Sequence, residues 1–224
     1  MTSATRITVS SFGALVGVAG IEHGIGEALQ GNVAPSALVF PSWAGDGPFA
    51  VLSGEPALTI IPNLLAAGIV TIAISLAFLT WVVLFIESKH GRAILIILSI
   101  AMLLAGGGLF PPVLGIVLAG VASRIHLPND QDAAHSPPGW RQVIAILWSW
   151  SVGIGLIIWL LVMPGLPAFV FFFGYAPPEP LVYALLLGMF VFLFTSILTG
   201  FVRDSRPQIG NRSRADSPQT LAVS

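Results

Sequence analysis

Apolar runs of bilayer length dominate the chain and leave little else from which to fold. They lie at about 7–30, 57–86, 93–125, 142–163 and 181–202. A helix that crosses ~30 Å of hydrocarbon uses about 20 residues, and four of these runs have that length. Charged residues make up only 8% of the sequence, against about 25% in a typical soluble domain. A soluble fold this poor in charge cannot cover its surface, whereas a lipid-facing one has no need to. The expectation is an all-α fold, a polytopic transmembrane helix bundle over residues 1–203, with a disordered tail at 204–224. Only Arg6 precedes the first run and no small-x-small cleavage signal follows it, so the run reads as a retained helix.

The third run is too long for one crossing. Its middle reads GGGLFPP, Gly106 to Pro112, which is poor material for a helix interior. The run therefore reads as a short or re-entrant hairpin with arms at 93–109 and 112–125. That makes about six membrane segments: 7–30, 57–86, 93–109, 112–125, 142–163 and 181–202. The hairpin also places all 9 Lys and Arg residues on the side of the N-terminus. By the positive-inside rule that side is cytoplasmic, and both termini lie there. The outer segments 31–56 and 164–180 contain no Lys or Arg and carry Asp46, Glu55 and Glu179. They are rich in Gly, Pro and aromatic residues, which suits chain lying at the interface.

The first run carries the most information. Gly13, Gly17, Gly20, Gly24, Glu27 and Gly31 alternate in steps of 4 and 3. At about 100° per residue they form one narrow helical stripe. Small residues so spaced let two helix backbones approach closely. Glu27 sits in that stripe, His23 lies one turn before it, and Glu22 points elsewhere. Ionisable groups in hydrocarbon cost several kcal/mol each, about 2.5–3.5 on the most lenient scale. Such groups mark a functional site by default. At the same depth the sequence places Thr59, Pro62 and Asn63 of the second run, and the Gly106–Pro112 turn. Broken helices are tolerated at depth where they are buried or line a cavity. The candidate proton- or ligand-binding residues are therefore Glu22, His23, Glu27 and Asn63. Glu27 in a seam of glycines also has a structural reading, as a polar group that organises helix packing.

The blocks GIEHGIGEALQGN, TIIPN and GGGLFPP resemble those of a family of uncharacterised prokaryotic multi-pass integral membrane proteins. The resemblance implies a multi-pass fold in a cell membrane. It implies no activity and assigns no role to any residue.

Several chemistries are disfavoured. A net charge of −1 offers no basic face for nucleic acid. No cysteine is present, which removes thiolate metal sites and nucleophiles. His23 is the sole histidine within an apolar run, so no metal site and no haem is expected. No G-x-S-x-G, HExxH or phosphate-loop motif appears, and no cofactor or catalytic residue is assigned. The expected partners are the lipid bilayer, a small solute or ion, and a membrane-protein partner or second copy. The leading expectation is a small transporter or permease-like protein with an outward-facing polar site. An accessory membrane subunit is the alternative, and a membrane enzyme or metal-binding protein a third. A cavity that reaches the cluster favours the first, and a dry seam around Glu27 the second.

Overall fold

The structure, a computed structural model, describes residues 3–43, 47–125 and 138–204. It is all-helical apart from one small hairpin. Helix α1 (Ala4–Gln30) leads through β1 (Val39–Pro41), a 3-10 turn (Pro48–Leu52) and β2 (Pro56–Leu58) into α2 (Leu64–Leu84). Then follow α3 (Gly91–Ala105), α4 (Phe110–Ala122), α5 (Pro138–Leu160), a π-turn (Leu161–Gly165), α6 (Leu166–Phe173) and α7 (Glu179–Asp204). Four stretches are long and apolar enough to cross a membrane: α1, α2, Gln142–Phe173 and α7. Helices α3 and α4, with 15 and 13 residues, are shorter. At 1.5 Å per residue they reach only ~20 Å.

Local chemistry sets the ends of these helices. Ser3 accepts a hydrogen bond from the Arg6 amide at 3.0 Å and starts α1. The Asp204 carboxylate at the far end of α7 accepts from the amides of Ala4 and Thr5 at 2.6 and 2.8 Å. Pro111 and Pro112 fall in the first turn of α4, where a missing amide hydrogen breaks nothing. The turn between α3 and α4 is thus narrower than the sequence suggests, Gly106–Leu109 instead of 106–112. Thr59, Pro62 and Asn63, expected inside the second helix, precede it.

The hairpin fold-back is present, and it gathers charge at one end. Arg6 pairs with Glu87 beyond α2 at 3.2 Å. Arg124 at the end of α4 lies over Phe201 of α7, and Arg203 over Trp148 of α5. Lys89 and Arg92 lie where α2 turns into α3. At the opposite end, residues 31–43 and 47–63 form a strap across the bundle. The strands pair antiparallel, with Phe40 opposite Ala57. The Leu109 amide donates to Pro56 at 3.1 Å, the Ile60 amide to Leu104 at 3.0 Å, and the Thr59 hydroxyl to Ala105 at 2.8 Å. The expected disordered tail falls, from residue 205, outside the described residues. So does 126–137 of the loop between the fourth and fifth segments, and so does Asp46.

Helix α1 is the centre of the bundle, touching α2, α4, α5 and α7. Its closest partner is α2. Side chains built at Gly13, Gly17, Gly20 and Gly24 would strike Val82, Leu79, Ser75 and Gly68 of α2 in turn, so the stripe is a seam. Gly31 is not part of it: it ends α1 in a left-handed conformation at φ 86° and faces open space. The main core, with Phe12, Val16, Phe78, Met102, Leu118 and Leu193, lies around α1. Segment 164–180 also differs from the expected interfacial chain. The helix continues through the π-turn at Pro164 as far as Phe173, and α6 rests on the 3-10 turn of the strap. A π-turn lets an interior proline be absorbed without ending the helix.

Candidate functional site

The last two turns of α1 place Glu22, His23 and Glu27 beneath the strap. His23 is buried, and its Nδ1 lies 2.8 Å from the Ser42 hydroxyl. Its Nε2 lies 3.8 Å from the carboxylate of Glu55. Helical spacing brings His23 and Glu27 near each other on α1, but they do not pair. Each reaches a different glycine of the α3–α4 turn: the Glu27 carboxyl lies against Gly106, and the His23 imidazole against Gly108. Both glycines have positive φ, 128° and 81°, so the turn needs glycine for its backbone as well as for the contact.

Glu27 is fully buried, and among the described residues neither carboxyl oxygen has a hydrogen-bond partner. The Thr71 hydroxyl of α2 faces it without reaching hydrogen-bond geometry. Ser75, one turn deeper on the same face, is also buried and unpartnered. A carboxyl in such a place must be neutralised by a proton or a cation. Glu22 is half-buried and points into a separate crevice of about 270 Å³ lined by Trp43, Phe49 and Trp159. Asn63 does not join the cluster. It caps α2 through the Ala66 amide at 3.0 Å and bonds the Asn32 side chain at the exposed rim.

The residue that sequence reasoning missed is Glu55. It sits in the strap at φ 51°, 5% exposed, and among the described residues neither of its carboxyl oxygens has a hydrogen-bond partner. Burial, and then the charge of nearby Glu22, push its carboxyl up to about 8; the Trp43 indole N–H works against them. His23 and Glu55 line a cavity of about 620 Å³. Its walls come from the start of α4, the end of α5, the π-turn and the start of α7, and include Phe110, Leu114, Trp159, Met163 and Tyr183. Glu27 does not line it. The cavity therefore reaches one part of the cluster, while the other part lies buried in the helix seam. Among the described residues no three potential metal ligands converge. Comparison of the chain with protein-family models, curated protein sequences and solved structures finds no match.

Proposed function

We propose that this is a multi-pass protein of the cell membrane, permease-like, that takes a small solute or ion into the cavity above His23 and Glu55. In this reading α1, α2, Gln142–Phe173 and α7 cross the bilayer, and α3 and α4 form a re-entrant pair. That accounts for all six apolar segments. The charged end carrying Arg6, Lys89, Arg92, Arg124 and Arg203 is cytoplasmic, as the positive-inside rule requires. The strap and the cavity then face outward, and both termini lie inside.

One observation carries the reading. A carboxyl and an imidazole, both buried, stand at the wall of a cavity, and among the described residues the carboxyl has no hydrogen-bond partner. A helix bundle has no structural need for such a group, and its presence favours binding. Glu55 would hold the solute or exchange a proton with it. His23, fixed by Ser42, would pass or accept that proton. Glu22, in the neighbouring crevice, bears on Glu55 through its charge.

Sealed proteoliposomes test the reading. An imposed ion or pH gradient should drive charge movement through the wild type, and Glu55→Gln should abolish it. A second reading, that of an accessory subunit, draws support from the closely packed glycine seam in which Glu27 is buried. Protein that carries no current under any gradient, with Glu55→Gln behaving identically, would favour that second reading.

A further inference from the structure

The cavity shows more than one kind of chemistry. Its volume, about 620 Å³, falls in the drug-sized range of about 300–1,000 Å³. Its walls are overwhelmingly apolar, and no Lys or Arg contributes to them. The ionisable groups that line it are Glu55, His23, Glu179 and Tyr183. Glu179 is exposed at the rim, at the first turn of α7, while Glu55 is deep. A sugar or other polyhydroxylated solute would find too few hydrogen-bonding groups. An anion would meet two carboxyls and no fixed cation. A lipid chain would account for the apolar walls but not for a buried carboxyl among them.

We propose that the cavity receives a hydrophobic organic cation, a quaternary ammonium, phosphonium or protonated amine on an apolar body, with Glu55 as its counter-charge. The proposal rests on the cavity being a solute site and names the class of solute. The apolar body fills the space against Leu114 and Met163. The cationic centre lies near the Glu55 carboxyl, in a wall that includes the aromatic rings of Trp159, Phe110 and Tyr183, whose quadrupoles can attract a cation. Glu179 gives an entering cation a second, solvated carboxylate at the mouth. Inside a low-dielectric wall a carboxyl that gives up its proton as the cation enters discriminates strongly by sign.

Two ions of nearly equal size and opposite charge test this: tetraphenylphosphonium and tetraphenylborate. Equilibrium dialysis uses the purified full chain in neutral maltoside micelles, with protein-free micelles subtracted. Wild type should bind the phosphonium saturably, one per chain, and show no saturable binding of the borate. Glu55→Gln should weaken phosphonium binding by about ten-fold or more, as loss of a buried counter-charge does. Glu179→Gln should weaken it only about two- to three-fold, as for an exposed rim charge. The sign comparison needs no variant, so it stands even where Glu55→Gln folds poorly. Equal binding of the two ions, or full affinity in a folded Glu55→Gln protein, overturns the proposal. Binding of neither ion, with vesicle charge movement retained, removes the cation class and leaves the solute site. Absence of both binding and charge movement removes the two together.

Discussion

Gly106 holds its bare α-carbon against the carboxyl of Glu27, in a backbone conformation open mainly to glycine. Two residues nearly eighty positions apart thereby form one contact. The turn between two short helices acts as a lid on the ionisable end of α1, and Gly108 repeats the contact on His23. The polar cluster is therefore built by backbone approach.

Gly106→Ala should destabilise the protein by about 2 kcal/mol or more, through positive φ and steric conflict together. In a Glu27→Ala background the same change should cost measurably less, with a coupling of about 0.5–3 kcal/mol. Thermal unfolding of the four proteins of this double-mutant cycle in detergent gives the coupling. Strictly additive effects would mean that the two residues do not touch.

Gly24 and Gly68 face each other across the α1–α2 seam, where an added side chain on either would strike the other's carbonyl oxygen. Gly24→Leu and Gly68→Leu should each lower the melting temperature by about 5 °C or more, given losses above ~2 kcal/mol for backbone collisions. Val18→Leu, on the exposed side of α1, should be nearly silent. If all three variants melt together, the seam is not a close contact.

Glu55 gives a pH dependence with a definite sign. Its carboxyl titrates at about 8 in the fold, up from an ordinary 4.5. The folded state thus prefers the protonated form. The stability this confers is fully present below pH ~4.5 and is lost as pH rises toward 8. Glu22 and His23 of α1 and the Trp43 indole N–H face this carboxyl, so the variant must be compared with wild type at each pH. Glu55→Gln, which cannot ionise, should gain melting temperature relative to wild type between pH 5 and 8. A constant difference over that range would show that Glu55 does not titrate there.

The absence of native cysteine allows the orientation to be read directly. Single cysteines at Ser53 and Glu179 should react with an impermeant maleimide from outside intact cells. Cysteines at Ser88 and Ser123 should react only after the membrane is opened. Ser123 ends α4, so its labelling from outside would be incompatible with a hairpin of α3 and α4.

Asp204→Ala should cost about 1 kcal/mol, within the 0.5–2 expected for losing a helix N-cap, because two amides of α1 lose their acceptor. Removing the exposed Arg6–Glu87 pair should cost less, about 0–1 kcal/mol. Chemical denaturation of the three proteins ranks them; an Arg6 variant that proves the weaker would reverse the assignment of roles.

Much of this architecture was legible because it is periodic or local. Apolar length gave the helices, the 4–3 spacing gave the seam, and GGG before PP gave the fold-back. The shared depth of Glu27, His23 and the turn also followed from counting along the helices. What could not be read came from contacts without period. Glu55 reaches His23 from a strap residue in a left-handed conformation, and nothing in the local sequence marks it. Asn63 looked like a site because it is polar at the right depth, yet capping is the ordinary task of asparagine before a helix. Pro164 suggested a helix end, and a single wide turn carried the helix past it.

The central position of α1 has a consequence for how the chain is made. In the proposed bilayer arrangement, the helix that ends in the middle is synthesised before the helices that cover it, and it is the least apolar of the four long stretches. Only α2 follows soon enough to shield it; α4, α5 and α7 come later. Cotranslational insertion would therefore proceed through an α1–α2 pair that closes its glycine seam early. Glu27 would remain uncovered until the ribosome has delivered Gly106.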